Sequence, residues 1–282
     1  MLPNLTEYHR PTSLAEALSL LNRREIRTVP LAGGTNLVGS GDPTVGAVVD
    51  LQDLGLRYLE ARDSGLHIGA MTTLQQLATE SESGDFRRRF LARAARATAH
   101  RIHRNMATIG GTVAVSDPND DLLLSLIVLN AQVVLQVFAG TTRRIRLEEF
   151  VANPRAYTAD GLITEIVVSR PVGYVGGGLA RAGRTPRDRP IVNAAALVQS
   201  DDAETVKQAR VAMGGVGPIP FVWAVTPTDE TSTPVKNLIA AGVEIPSSVS
   251  IAGDFRGSAE YRRALATLIA RRALQEAWEG LS

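Results

Sequence analysis

The N-terminal part of the chain alternates amphipathic segments with short apolar runs. An apolar face recurs at helical spacing at Leu14, Ala17, Leu18 and Leu21. Ser13, with Glu16 three residues later, has the pattern of a capped helix N-terminus. The runs IRTVPLA and VGAVVDL follow and are typical of buried strands. The pattern predicts a β-α-β-like opening over residues 1–55.

The middle of the chain changes to an alternating pattern and then to helices. LRYLEARDSGLHIGAM predicts a hairpin around the turn Asp63-Ser64-Gly65. TTLQQLATES predicts a short helix that begins after Thr72 or Thr73, and DFRRRFLARAARATAHRIHRN predicts an arginine-rich helix. After a helix over 119–129, AQVVLQVF, TRRIRL and GLITEIVV predict three strands.

The composition changes at Gly173–Pro190, which is rich in Gly, Arg and Pro. Such a segment is typical of a domain boundary or a mobile loop. Beyond it, VNAAALVQS and KQARVAMGGV predict strands of a new sheet. DETSTPVKNLIAAG and GSAEYRRALATLIARRALQEAWEG predict helices, the second of them long.

Composition and charge remove several classes of function. The chain has 282 residues with 30 basic and 29 acidic side chains, so nothing indicates a nucleic-acid partner. It has no cysteine, which excludes disulfides, thiolate nucleophiles and an iron–sulfur cluster held by this chain. No apolar run is long enough to predict a membrane span, and the first residues lack the pattern of a secretion signal. We therefore expect a cytoplasmic protein.

Two glycine pairs stand in similar surroundings, in LAGGTNL at 31–37 and in ATIGGTV at 107–113. A glycine pair lets a ligand approach the backbone, and successive N–H groups in such a turn form a nest for phosphate. Each pair alone is more often an ordinary tight turn. Neither pair has the P-loop or Rossmann pattern. Together, with polar residues after each, they indicate a dinucleotide site at which a side chain on Gly33 or Gly110 would block the diphosphate without unfolding the chain.

Acidic and histidine side chains leave alternatives open. Asp117, Asp120 and Asp121 precede an apolar helix, where a carboxylate caps the N-terminus or accepts hydrogen bonds from ribose hydroxyls. His100 and His103 share a helix face, but two ligands without a third are weak evidence for a metal. We therefore predict neither a catalytic acid–base pair nor a metal site.

Eight segments in order resemble one family, the FAD-binding (medium) subunit of molybdenum hydroxylases, to which carbon monoxide dehydrogenase and xanthine dehydrogenase belong. They are YHRPTSLAEALSLL, LAGGTNL, VVDLQDL with LHIGAMTTLQQL, RNMATIGGTVAVSDPNDDLLLSLIVLNAQV, DGLITEI, LARAGRTPRDRPIVNAAALV, ARVAMGGVGPIP and DFRGSAEYRRALATLIARRAL. The resemblance implies an α+β fold in which two α/β subdomains form a PCMH-type FAD-binding cleft. A C-terminal domain with a small antiparallel sheet and helices follows. The corresponding domains are 1–174, with subdomains at about 1–55 and 56–174, and 175–282.

The resemblance also implies the cofactor-binding residues. The first loop supplies Ala32, Gly33, Gly34, Thr35, Asn36 and Leu37, and the second supplies Thr108, Ile109, Gly110, Gly111 and Thr112. Asp117 and Asp121 lie beside the second loop, and the resemblance puts Asp121 near the ribose or adenosine half of FAD. It puts Leu162 against the ring systems of FAD, and Arg181 at a position near the cofactor where many relatives have lysine. Three positions depart from the family's usual residues. Asn36 stands where Asp is usual, Thr112 where Asn or Ser is frequent, and Leu123 where Pro is frequent.

In function, the resemblance implies the FAD subunit of a multi-subunit molybdenum hydroxylase. Because this chain has no cysteine, the [2Fe–2S] clusters belong to a small iron–sulfur subunit and the molybdopterin to a large subunit. Electrons from those clusters would leave through the flavin to an external acceptor. Two alternatives stay open: a self-sufficient flavin oxidase or reductase, and a non-catalytic nucleotide-binding assembly subunit.

Overall fold

The protein divides by packing into two compact units that interleave along the chain. The structure is a computed structural model that describes residues 2–80, 85–185, 188–201, 205–226 and 243–281. Unit 1 comprises Met1–Ser81, Ala99–Ser116 and Asn130–Ser169; unit 2 comprises Glu82–Thr98, Asp117–Leu129 and Arg170–Ser282. The predicted domains, 1–174 and 175–282, are continuous in sequence, whereas these units are each made of three segments. The predicted boundary at 174 therefore stays a prediction.

The elements follow one another in an irregular alternation of strands and helices. The described strands are β1 (Glu7–His9), β2 (Thr28–Leu31), β3 (Ala47–Asp50), β4 (Leu59–Arg62), β5 (Gly65–Gly69), β6 (Gln132–Val137), β7 (Thr142–Arg146), β8 (Gly161–Val168), β9 (Tyr174–Ala182), β10 (Val192–Ser200), β11 (Gln208–Gly214) and β12 (Phe221–Val225). The described helices are α1 (Leu14–Leu21), α2 (Leu37–Ser40), α3 (Leu74–Glu80), α4 (Phe86–Thr98), α5 (Arg101–Met106), α6 (Ile109–Val115), α7 (Asp121–Val128), α8 (Leu147–Phe150), α9 (Pro154–Thr158) and α10 (Ala259–Glu279).

Unit 1 contains two sheets. A three-stranded parallel sheet has the order β1-β3-β2, so that β2 is an edge strand. The Ser13 side chain accepts a hydrogen bond from Glu16 N and starts α1, as its sequence predicts. A five-stranded antiparallel sheet has the order β4-β5-β8-β6-β7. Its β4–β5 hairpin turns at the predicted Asp63-Ser64-Gly65, which confirms the prediction of a hairpin.

Unit 2 is built on the antiparallel sheet β12-β11-β10-β9. Alternate residues of β10 pack into a buried core with the predicted long helix α10; the β10 members are Val192, Ala194, Ala196 and Val198. Asn193, which alternates with them, hydrogen-bonds Asp121 at the start of α7. Helix α10 therefore covers one face of the sheet and α7 lies against the other.

Two interpretations of Gly173–Pro190 were open, a domain boundary and a mobile loop, and the loop is wrong for Tyr174–Ala182, which forms strand β9. A Cβ on Gly176 would lie 1.8 Å from the carbonyl oxygen of Ala277, and one on Gly178 would lie 1.9 Å from that of Ala273. The glycines are there because the backbone of α10 packs directly on this strand. The predicted helix at 229–242 lies outside the described residues. None of the helices in the described part of the chain has the length and apolar composition that a membrane crossing needs.

Candidate cofactor-binding site

A groove of about 720 Å³ lies within unit 1. Its volume falls in the range of cofactor pockets. It is lined by Leu21, Arg27, Thr28, Val29, Pro30, Ala32, Asp42, Leu51, Ala70, Met71, Gly110, Gly111, Ala114, Phe138, Arg155, Thr158, Ala159, Gly161, Leu162 and Ile163. Four predicted site residues are therefore brought together, namely Ala32, Gly110, Gly111 and Leu162. The second glycine pair lines this groove, and Ala32, which also lines it, directly precedes the first pair.

Apart from Leu162, sequence reasoning missed the apolar wall of the groove and its charged residues. Leu162 and Met71 belong to a buried apolar cluster, and Phe138 packs against it. Arg27 and Asp42 form an ion pair, with Nη1 and Oδ2 3.2 Å apart. These residues come from separate elements and carry no shared motif, so only the folded chain brings them together.

The first glycine segment is a bend between β2 and α2. Gly34 has φ +70°, a conformation that glycine adopts without steric cost. Val38 N then donates to Gly34 O, and this bond begins the short helix α2. The bend directly follows Ala32, the residue of this segment that lines the groove.

The backbone N–H groups of this bend are available. Within the described residues, the amides of Gly33, Gly34, Thr35, Asn36 and Leu37 donate to no protein acceptor. The Asn36 side chain caps none of them either. Consecutive unsatisfied amides are costly when dry and favourable beside an anion. The first segment therefore has the donors that a diphosphate needs.

The second glycine pair is not a turn, contrary to the prediction. Gly110 and Gly111 lie in the first turn of α6, whose N-cap is Thr108. Neither has a positive φ. The Thr108 side chain accepts a hydrogen bond from Gly111 N at 3.2 Å. A threonine two residues before the pair thus makes this glycine segment helical, where the first one bends.

The amides of the second segment are already used. Ile109 N donates to Thr72 O at 3.0 Å, and Gly110 N donates to Ala70 O at 2.9 Å. Thr112 N donates to Thr108 O at 2.9 Å. The contribution of this segment to the groove is consequently its bare Cα surface at Gly110 and Gly111, which lets a ligand lie close to the helix.

The first glycine segment touches the chain just before the second. Because of this contact, the prediction that a side chain at Gly33 leaves the chain folded is wrong. A Cβ at Gly33 would lie 1.8 Å from Met106 O, immediately before the second segment. A Cβ at Gly110 would lie 2.8 Å from both Cβ and O of Ala70. Both glycines are required by the packing of the protein on itself, before any ligand is considered.

Two further predicted residues form an ion pair in unit 2, in which the carboxylate is buried and the guanidinium is half-buried. Asp121 is 3% exposed, and its Oδ2 accepts from Arg181 Nη1 at 3.0 Å. Its Oδ1 accepts from Asn193 Nδ2 at 2.7 Å. Arg181 also donates to the carbonyl oxygens of Ala97 and Asp188. Burial raises the pKa of Asp121, which these partners oppose. Both side chains are fully engaged within unit 2.

The other acidic residues beside α7 are also paired. Asp120 is the N-cap of α7, and its Oδ1 accepts from Leu122 N and Leu123 N. This confirms the capping interpretation of Asp120. Burial raises the pKa of Asp120 to about 7. Asp117 Oδ1 accepts from Asn119 N and from Arg189, which lies on the loop after β9. In the described ranges, no cluster of three acidic or histidine side chains has the arrangement of a metal site.

The α+β architecture contains a groove lined by the backbone of Gly110 and Gly111, and the residue Ala32 of that groove leads into a bend whose amides have no acceptor within the described residues. This combination suits a nucleotide cofactor. The comparisons with known proteins give the class of this protein. The FAD binding domain in molybdopterin dehydrogenase matches residues 4–171, and the CO dehydrogenase flavoprotein C-terminal domain matches residues 179–277. The chain belongs to this family of FAD-binding medium subunits of molybdenum hydroxylases.

Individual relatives agree with this over the whole length. The chain is 31% identical to the nicotine 6-hydroxylase medium subunit of Paenarthrobacter nicotinovorans, with 96% of each chain covered. It is 28% identical to the carbon monoxide dehydrogenase medium chain of Afipia carboxidovorans, with 98% of each covered. A solved carbon monoxide dehydrogenase from Hydrogenophaga pseudoflava, which lacks the Mo-pyranopterin moiety, superposes with a TM-score of 0.83 at 26% identity and full coverage of both chains. The chain is accordingly an oxidoreductase subunit, and the predicted fold class is confirmed.

Proposed function

We propose that this chain holds FAD in the groove of unit 1 and passes electrons through it between a partner subunit and an external acceptor. The observation that carries the proposal is the row of amides from Gly33 to Leu37, which have no acceptor within the described residues and directly follow Ala32 of that groove. Five backbone donors suit the two negative charges of a diphosphate. The flavin supplies the redox chemistry when it is bound, and the chain binds and orients it.

The predicted residues take different parts in this proposal. Within the predicted segment Ala32–Leu37, the amides of Gly33 to Leu37 donate to the diphosphate. Within the predicted segment Thr108–Thr112, Gly110 and Gly111 line the groove without side chains. Leu162, which also lines it, packs against a ring of the cofactor. A direct contact of Asp117, Asp121 or Arg181 with FAD stays a prediction, because other side chains already occupy their polar atoms.

The proposal extends to partners. The relatives are named as medium subunits or chains, which indicates assembly with smaller and larger ones. This chain has no cysteine, so the [2Fe–2S] clusters belong to a small subunit, and molybdopterin with the substrate belongs to a large one. Electrons then arrive from the nearest cluster and leave through the flavin. We propose that the complex works in the cytoplasm, a location that stays a prediction.

Affinity purification from the native host tests the proposal. A C-terminally tagged chain should co-purify with two further polypeptides, together with iron, acid-labile sulfide and molybdenum, and with a flavin absorption spectrum. Substrate-reduced complex should bleach the cluster and flavin bands together.

The alternatives give different outcomes of the same purification. A yellow single chain that turns over substrate without iron or molybdenum would contradict the partner proposal and favour a self-sufficient flavoenzyme. A colourless complex that takes up no added FAD would contradict the cofactor proposal and favour an assembly subunit.

A further inference from the structure

A buried polar cluster lies on one face of the five-stranded sheet of unit 1. His67 on β5 pairs with Val167 on β8, and Glu165 precedes Val167 by two residues, so the side chains of His67 and Glu165 share a face of the sheet. His67 is 2% exposed and Glu165 is 8% exposed. Neither residue lines the groove. Buried titratable side chains need hydrogen-bonding partners, and the cluster supplies them.

Two hydrogen-bonding contacts join Ser64, His67 and Glu165 in a row. Ser64 Oγ lies 2.6 Å from His67 Nε2, and His67 Nδ1 lies 2.9 Å from Glu165 Oε1. A hydroxyl, an imidazole and a carboxylate in this order form the arrangement that activates a serine nucleophile. Both distances lie within the reach that proton transfer requires.

The carboxylate determines which ring nitrogen of His67 carries the proton. An unprotonated Nδ1 would direct its lone pair at Glu165 Oε1, which is unfavourable, so Nδ1 carries the proton of the neutral ring. Nε2 then keeps its lone pair, and the Ser64 hydroxyl donates to it. His67 is therefore oriented to take the proton of Ser64.

Two further donors hold the carboxylate of Glu165. The Tyr58 hydroxyl donates to its Oε1 at 2.8 Å, and Arg62 Nη1 donates to the same oxygen at 3.3 Å. Burial and the hydrogen bond to Glu165 raise the pKa of Tyr58 to about 12, so its hydroxyl stays a donor. The guanidinium of Arg62 packs over the Tyr58 ring, 5.4 Å from its centre. These contacts keep Glu165 oriented toward His67.

The turn that carries Ser64 is open to solvent. Asp63 and Ser64 are both exposed, between β4 and β5. Within the described residues, the backbone amides of Asp63 and Ser64 donate to no protein acceptor. In acyl transfer, the amide of the nucleophilic residue itself serves as a donor to the oxyanion that forms. The turn thus offers an accessible hydroxyl together with amide donors for the developing charge.

We propose that Ser64 is a nucleophile for acyl transfer from a small ester, with His67 as its base and Glu165 as a positioning residue. Ser64 Oγ bonds to the acyl carbon while its proton passes to His67 Nε2. The bond from that carbon to the alcohol oxygen breaks, and Nε2 returns the proton to the leaving alcohol. Water then attacks the acyl carbon and gives a proton to Nε2, and the carboxylic acid leaves as Ser64 Oγ takes that proton back. No step uses a flavin, so this activity is independent of the proposed function.

A fluorophosphonate probe on the purified full-length chain tests the nucleophile. Its phosphorus bonds to an activated serine oxygen as fluoride leaves. We expect peptide mass spectrometry to find the label on Ser64, to find none in Ser64→Ala, and to find it unchanged in Ser19→Ala, the matched control on an exposed serine of α1. Release of nitrophenolate from p-nitrophenyl acetate should follow the same order. An unlabelled wild-type chain, or a label that persists in Ser64→Ala, would overturn the proposal.

A second readout uses the absence of native cysteine. Ser64→Cys and Ser19→Cys each introduce a single thiol, which iodoacetamide alkylates in its thiolate form. Below the ordinary thiol pKa of about 8.5, Ser64→Cys should react roughly tenfold faster than Ser19→Cys, because His67 takes the thiol proton. Equal rates in the two variants would overturn the assignment of His67 as the base.

Variants of the other two members separate activation of the nucleophile from support of the hairpin. Adding His67→Gln to Ser64→Cys should lower the alkylation rate to that of Ser19→Cys. Adding Glu165→Gln should move the pH profile of alkylation upward, because the amide oxygen still accepts from Nδ1 but no longer stabilises an imidazolium charge. A lower melting temperature with an unchanged alkylation profile would mean that both residues only support the hairpin, and would overturn the proposal. Should either added substitution prevent folding, the comparison of Ser64→Cys with Ser19→Cys still decides it.

Discussion

The two glycine pairs of this chain have nearly the same local sequence and opposite hydrogen-bonding states. In the first pair and the three residues after it, no amide has a protein acceptor within the described residues. In the second, the amides of Ile109, Gly110, Gly111 and Thr112 all donate within the protein. The first segment thus has free donors for an anion. The second has none; the chain just before it packs against Gly33, and its glycines leave room for a ligand in the groove.

The difference shows that a glycine motif can serve close packing, ligand approach or both. Gly33 lies against Met106 O, and Gly110 lies against Ala70. Gly111 has only the Thr108 hydroxyl near its absent side chain, at 3.1 Å, and it lines the groove. Of these three glycines, only Gly111 can gain a side chain that meets the ligand before it meets the protein backbone.

The largest effect is expected for Gly33→Val, which breaks the contact between the two segments. A Cβ 1.8 Å from a backbone oxygen cannot be relieved by a rotamer change. The free energy of unfolding should fall by roughly 4 kcal/mol or more, and FAD retention should be lost with the fold. Thermal denaturation followed by circular dichroism measures the loss.

Gly39→Val is the matched control, because a Cβ there meets nothing within 4 Å. It should cost about 1 kcal/mol or less. A folded Gly33→Val protein with a wild-type melting temperature would mean that the two segments do not touch as described.

Arg181→Ala tests whether the ion pair between Arg181 and Asp121, two predicted site residues, stabilises the fold. It removes a partner from buried Asp121 and should cost roughly 3 kcal/mol in chemical denaturation. Arg189→Ala, which breaks the more exposed pair with Asp117, should cost less than about 1 kcal/mol. Similar small losses in both variants would argue that Arg181 is held for the cofactor and not for the fold.

A pair of alanine substitutions sharpens the comparison within the second segment. Gly110→Ala overpacks Ala70 and should lower the free energy of unfolding by about 1–3 kcal/mol. Gly111→Ala should keep stability within about 1 kcal/mol, since helix propensity offsets a tight contact. Its methyl group enters the groove, so FAD affinity should fall by roughly tenfold in fluorescence titration. The reverse assignment of these two effects would contradict the packing described for α6.

The sequence predicts the elements whose signals are local. The Ser13 cap, the hairpin at Asp63-Ser64-Gly65 and the cap at Asp120 each depend on residues within a few positions of one another. The resemblance to a family placed Ala32, Gly110, Gly111 and Leu162 at one site, and all four line one groove. Local chemistry was sufficient for the three caps and turns, and the cofactor-binding role of the four groove residues stays a prediction.

Other features depend on contacts that are distant in sequence, and there the predictions fail. Gly176 and Gly178 look like a loop, because nothing nearby shows that helix α10 packs on their backbone. The second glycine segment looks like the first, because the acceptors of Ile109 N and Gly110 N, the carbonyl oxygens of Thr72 and Ala70, lie about 40 residues earlier in the chain. Glycine composition alone does not distinguish a strand packed closely on a helix from a bend.

The smallest loss of stability is expected for Thr108→Ala. This variant tests most directly whether the first or the second glycine segment donates to the diphosphate. The substitution removes the acceptor of Gly111 N and should cost about 1 kcal/mol, as the loss of an N-cap does. Ser13→Ala removes the equivalent cap of α1 and should cost about the same. FAD affinity should stay within about twofold of wild type in both, because the donors to the diphosphate belong to Gly33–Leu37. A tenfold loss of affinity in Thr108→Ala but not in Ser13→Ala would make the second segment a cofactor-binding element in its own right.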